Sequence, residues 1–246
     1  MYHFAIFSLL LLFGYSGKID ILIPTVEQET EYVWRTIQNI SFFDEYGYDI
    51  SLPEGSLIES LKTKSREKTL NNEDYKALSA FMKEKVYKKS DYEKGYKKVV
   101  SETALLESLI GKIKNAERNW DFRFFETYTV TLTLYGPGGG YNPEEGSILL
   151  FTTLEGGFKQ YENPRNTIIH EIIHIGVEES IMQKYDVPHG LKERIIDTFV
   201  HLNFKDQLPD YCIQNMGDTR LDSLLSEKKD LIHLEGIVIE LLGKDY

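Results

Sequence analysis

Asn163-Pro164-Arg165-Asn166-Thr167-Ile168-Ile169-His170-Glu171-Ile172-Ile173-His174-Ile175-Gly176 is the stretch that decides how this chain is read. Asn at a cap position followed by Pro at the first helical position is a helix start, because proline's fixed φ suits that position and its missing N–H is not needed there. Isoleucines at 168, 169, 172, 173 and 175 leave no polar face wide enough for solvent, so the helix is expected to be buried. His170 and His174 stand at i and i+4 and share a face. Both rings can therefore reach one Zn²⁺, with the Glu171 carboxylate beside it to take a proton from a water. The bland alternative is a helix carrying two surface histidines by accident. Burial argues against it, since each ring nitrogen in an apolar setting needs a partner and a metal supplies one.

Two histidines leave a catalytic zinc site incomplete, because such sites usually take three protein ligands and leave one position open. A third histidine at position 180 would complete a metzincin-type set, but Val177 and Ser180 stand where its glycine and histidine would be. Glu178 lies eight residues past His170 on the same helix, ~12 Å along the axis, too far for a tight tetrahedron. Glu179 points to the opposite side. Beyond Pro188-His189-Gly190, the segment Leu191 to Val200 has a helical apolar stripe, with Glu193 and Asp197 one turn apart. Glu193 can bind the metal while Asp197 accepts the remaining N–H of a liganding histidine. The plain reading of that pair is an exposed acidic edge matched by Lys192 and Arg194.

With HExxH at 170–174 and Glu-x-x-x-Asp nineteen positions beyond His174, the chain resembles the gluzincin, or thermolysin-like, metallopeptidases over roughly residues 128–205. It is nearer in size to their compact single-domain members. The resemblance implies a zincin-like α+β domain: a small mixed or antiparallel sheet packed on an active-site helix and a glutamate helix. It implies His170, His174 and Glu193 as Zn²⁺ ligands, Glu171 as general base, Asp197 as the partner of His170, and a peptide or protein substrate. It also suggests that Ser147 to Thr153 is the edge strand above the cleft. Members of this class usually have a further His or Tyr that stabilises the oxyanion. No motif places it here; Tyr211 is preferred over His201 and His189.

The rest of the chain supplies context. Its 246 residues suffice for one sizeable domain, and a net charge of −11 without a long basic cluster argues against nucleic acid. Phe4 to Phe13 is an apolar run too short to span a bilayer comfortably. Gly14, Ser16 and Gly17 follow it, so residues 1–17 read as a signal peptide, or as an anchor through residues 4–13, of an exported protein. Cys212 is the sole cysteine, which excludes an intrachain disulfide and reads as a buried small hydrophobe. A strand is expected at Lys18 to Pro24 and a helix at Glu27 to Ile40. Asn72 and Asp91 look like caps of further helices, the second with a stripe from Tyr92 through Val100 to Ile113. The tyrosines at 75, 87, 92 and 96 are expected to pack between helices.

From Tyr128 the period changes to strict alternation through Tyr135, a half-buried strand. Gly136 to Gly140 then reads as a hairpin loop into the strand at Ser147, since the run lacks the Lys and Ser/Thr of a phosphate loop. A helix-rich part (18–120) thus precedes the part carrying the chemistry (121–246), and the two can form one compact domain. The functional expectation is a zinc metallopeptidase. Its rivals are an inactive zinc-containing binding protein on the same scaffold and a helical interaction protein with an accidental motif.

Overall fold

The computed structural model of the chain describes residues 17–159 and 163–243; the expected export segment lies outside them. The architecture is mixed α and β. Among the described residues, one sheet has strands β1 (Lys18–Leu22), β2 (Thr127–Thr133), β3 (Gly139–Asn142) and β4 (Ser147–Phe151) in the order β1-β2-β4-β3. β2 pairs in parallel with β1 and with β4, whereas β3 is antiparallel to β4 at the edge.

Three expectations are corrected here. The glycine run does not join β2 to β4 as a hairpin, because those strands run the same way. Gly139 and Gly140 instead belong to β3, and the hairpin is β3–β4. The edge strand is therefore β3, and Ser147–Phe151 lies inside the sheet. Strand β2 is not half-buried either: Thr131 and Thr133 are buried as well as Val130 and Leu132.

The helices before β2 are α1 (Val26–Gln38), α2 (Ile40–Tyr46), α3 (Ser56–Arg66), α4 (Asn72–Phe81) and α5 (Glu93–Lys114). Helix α1 begins with a reciprocal capping box between Thr25 and Gln28. The cap of α4 is Asn71, one residue earlier than expected, and Asp91 sits in a 3₁₀ turn without capping α5. Val33, Ile37, Ile58, Leu61, Leu78 and Met82 close a small core among α1, α3 and α4. Tyr75 packs edge-on against Trp34 and Tyr87 against Tyr92, as interhelical packing requires.

Helix α6 (Pro164–Val177) carries the two histidines. A π-helical turn follows (Glu178–Gln183), then α7 (His189–Phe204), a short α8 (Leu221–Leu224) and α9 (Leu234–Leu242). α6 packs against α5, α7, β3 and β4. Its five isoleucines are fully buried, in one continuous core that also takes in Ile19, Ile21, Val99 and Leu106 from the N-terminal half. That core crosses residue 120, so β1 and α5 belong structurally with the second half. Val100, counted in the apolar stripe of α5, is exposed. Asn163 occupies the cap position of α6 without bonding the helix; its amide donates to Asp210 at 2.8 Å. No helix among the described residues is long and apolar enough to cross a membrane.

One buried charge ties α1 to the sheet. A single oxygen of Glu29, Oε1, accepts from Tyr92 Oη at 2.7 Å, the Leu134 N–H at 3.0 Å and Thr133 Oγ1 at 3.1 Å. The other oxygen has no hydrogen-bond partner among the described residues. Burial raises this carboxyl above its ordinary 4.5 despite the three hydrogen bonds. The folded state thus holds the proton more tightly than the unfolded one, and this contribution to stability is lost as pH rises from the unfolded value through the folded one. Glu29→Gln is expected to gain stability relative to the parent protein between pH 4 and pH 7 in urea melts. Parallel pH profiles for the two proteins would refute this reading of Glu29.

Candidate metal centre

The side chains of His170 and His174 lie on the face of α6 that meets α7 and β3, 5% and 2% exposed. Their Nε2 atoms converge to 3.0 Å. Glu193, in the second turn of α7, places Oε2 at 3.2 Å from His170 Nε2 and Oε1 at 3.4 Å from His174 Nε2. The donor atoms of these three residues all lie within 4.8 Å of one another, so the group could hold a metal ion. Ligand atoms arranged tetrahedrally around an ion at about 2.0–2.1 Å stand about 3.3 Å apart. The three edges have that size, which is the fit expected of a ligand set. Without an ion, two facing imidazole nitrogens must share a proton, with one ring donating and the other accepting. Burial lowers the affinity of both rings for it. Hydrogen bonds to Asp197 and Glu193 overcome this at His170, which is raised, whereas His174 stays lowered. Burial opposes the charge of Glu193, yet its hydrogen bonds to the two histidines hold it well below the usual carboxylate range.

Behind His170 the support is triangular. Asp197, fully buried, lies 3.2 Å from His170 Nδ1, and it also accepts from Tyr211 Oη at 2.6 Å and from the Gln214 N–H at 2.7 Å. Tyr211 Oη is in turn 2.7 Å from His170 Nδ1. The hydroxyl has one proton, and the carboxylate can only accept. Tyr211 therefore donates to Asp197 and accepts from Nδ1–H; in the neutral ring this leaves the Nε2 lone pair facing Glu193 and His174, as a metal ligand requires. Asp197 thus lies behind His170. Tyr211, preferred in the sequence as the oxyanion donor, lies there too: it is 7% exposed and is not among the residues that border the cleft in front of the histidines. His201 does not border it either. His189 does, 3.6 Å from Glu193.

His174 is held differently. The ring of Tyr141, on β3, stacks on it at 4.7 Å and 12°. Tyr141 Oη donates to Glu178 at 2.8 Å, and Lys192 Nζ bonds both oxygens of Glu178 at 3.0 and 3.1 Å. Glu178 is thus a support behind the site. Glu179 turns away toward Arg123. The lysine and arginine flanking Glu193 are committed elsewhere, Lys192 to Glu178 and Arg194 to Asp222, so the acidic pair of α7 is not a solvated edge. Sequence reasoning missed Tyr141 and also Gly139. A Cβ on Gly139 would stand 2.7 Å from Glu171 Oε1 and 2.9 Å from Thr167 Cγ2, so only glycine lets β3 approach α6 this closely. A glycine in a short strand is the signal that could have found it.

The residues open onto a cleft of about 370 Å³, bordered by Gly139 to Tyr141, Glu171, His189, Gln214, Met216 and Tyr48. Burial raises the Glu171 carboxyl to about 7; His170 opposes the shift and Glu193 adds to it. A larger hollow of about 800 Å³ near Trp120, Phe199 and Leu231 has no histidine in its lining. Cys212 is exposed, against expectation, beside the Tyr211 support. No known family, curated protein or solved structure matches this chain.

Removing the Tyr211 hydroxyl should loosen His170 without touching the ligand atoms. Tyr211→Phe is expected to weaken binding of a divalent metal ion by about tenfold in chelator competition, with the fold retained by circular dichroism. An unchanged affinity would show that Asp197 alone orients the ring.

Proposed function

We propose that the chain is a zinc-dependent hydrolase that cleaves peptide bonds. The observation that carries this reading is the convergence of two imidazole nitrogens and one carboxylate at 3.0, 3.2 and 3.4 Å beside a fourth group, Glu171, on the same cleft. Two His and one Glu with an open position is a donor set that suits catalytic zinc. A bound zinc ion would supply a Lewis acid that acidifies water and polarises a carbonyl.

The chain's own groups do the rest. Glu171, raised to about 7, is matched to taking a proton near neutral pH. As the water O–H breaks and oxygen bonds the carbonyl carbon, the proton passes to Glu171. As the C–N bond breaks, Glu171 returns it to the leaving amine. Gly139 lets the β3 backbone lie against this carboxylate, and β3 is the edge strand of the sheet. An extended peptide along that edge would gain main-chain hydrogen bonds and bring its carbonyl to Glu171. The ring of His189 and the amide of Gln214 border the cleft and are candidates to donate to the developing oxyanion.

Glu171→Gln is expected to bind zinc near one equivalent and to lose peptide cleavage by a factor of about 10² or more, whereas His174→Ala loses both. Turnover by Glu171→Gln at the parent rate, or no stoichiometric zinc in the parent protein, would sink the reading.

Gly139→Ala tests the close approach of β3 separately. It is expected to keep zinc and lower kcat by about tenfold or more, because the methyl displaces the Glu171 carboxylate. Parent-like kcat would mean that the strand can yield.

A further inference from the structure

Three of the large hydrophobic side chains that the described residues expose, Phe42, Tyr46 and Tyr48, come from one short segment, at 48%, 62% and 37% exposure. Their placement is built. Gly47, with φ +68°, ends α2 in the left-handed conformation, and the Tyr48 N–H turns back to the Phe43 carbonyl at 2.9 Å. Tyr48 is thereby folded onto the helix end, with its ring 6.0 Å from Phe42 and 5.7 Å from Phe43. The segment is pinned on both sides. Asp44 pairs with Arg66 of α3 at 2.8 Å, and Ser51 forms a two-way backbone bridge with Gly136, just before β3. Stacked rings held in this way leave an apolar surface in water, which is costly unless something covers it.

The surface leads into the metal cleft. A second hollow, of about 480 Å³, is walled by Tyr46, Tyr48 and Pro137. It shares Tyr48, His189, Gln214 and Met216 with the cleft of the two histidines, so the two are continuous. Its walls are mainly apolar, and at its rim Lys159 is already held by the carboxylate of Asp49 at 3.2 Å. A charged ligand group would find no unpaired counter-charge in that ion pair. An aromatic or large aliphatic side chain would find rings to lie against.

We propose that Tyr46, Tyr48, Pro137 and Met216 form a specificity subsite that takes a large apolar side chain of a peptide lying in the metal cleft. This rests on the reading of the cleft as a peptide site, and it assigns selectivity to a segment some 120 residues before the histidines. Burying one such side chain corresponds to a preference of about tenfold or more over alanine.

The test separates binding from turnover. Zinc-loaded Glu171→Gln protein is titrated calorimetrically with two blocked hexapeptides that differ only by Phe or Ala at one position, the position being scanned. Tyr46→Ala and Tyr48→Ala are then added singly; both side chains are exposed, and zinc content and circular dichroism check that site and fold persist. The expected result is a Phe-over-Ala preference of about tenfold or more at one position, reduced to within about twofold in the Tyr48→Ala background. Equal binding of the two peptides at every position, or a preference untouched by both tyrosine variants, overturns the subsite. The same peptides given to the parent protein report on hydrolysis independently. Selective binding without cleavage overturns the hydrolase and leaves the subsite standing; cleavage without selectivity does the reverse.

Discussion

The structure depends on one constraint: α6 is buried along almost its whole length, and five of the side chains it buries, Asn166, Thr167, His170, Glu171 and His174, are polar. His170 and His174 are shielded from bulk water, so each needs a neighbouring element or a ligand, whereas Glu171 faces the cleft. α7 brings Glu193 and Asp197, the segment after it brings Tyr211 and the Gln214 N–H, and β3 brings Tyr141. The elements packed around α6 are thus also the ones that build the site.

The two histidines are supported by different physics. His170 is fixed through hydrogen bonds to a hydroxyl and a carboxylate that dictate its tautomer, whereas His174 lies against the face of an aromatic ring. Its Nδ1 has no hydrogen-bond partner among the described residues. Imidazole orientation on one side is therefore electrostatic and on the other steric. The ring that steers His174 is itself anchored by Glu178 and Lys192. The π-helical turn after Val177 carries that glutamate, so the irregular end of α6 belongs to the site's support.

Much of this was legible from residue order because helices are local. Spacing of three and four identified α6 and α7, and i,i+4 geometry put His170 beside His174 and Glu193 beside Asp197 before any tertiary contact was known. The sheet was less legible. Strict alternation from Tyr128 to Tyr135 signals a strand but says nothing about its neighbours, and the glycine run suggested an antiparallel hairpin where the chain instead passes through a third strand. Tyr211 was noticed for its position after α7. Its direction depends on how that segment turns back toward Asp197, and the turn places its hydroxyl behind His170.

From the sequence by itself follow the buried helix, its paired imidazoles with the carboxylate between them, and a second helix able to offer a third ligand and its support. Each rests on contacts within one or two turns, where backbone geometry leaves little choice. Only the tertiary structure decided that Glu193 faces both histidines, that β3 forms the edge beside Glu171, and that Tyr48 borders the cleft with Tyr46 in the hollow beside it. Those meetings join segments far apart in the chain, Tyr46 and Met216 among them. What sets them is the burial of a shared core and the pairing of strands, which local periodicity does not encode.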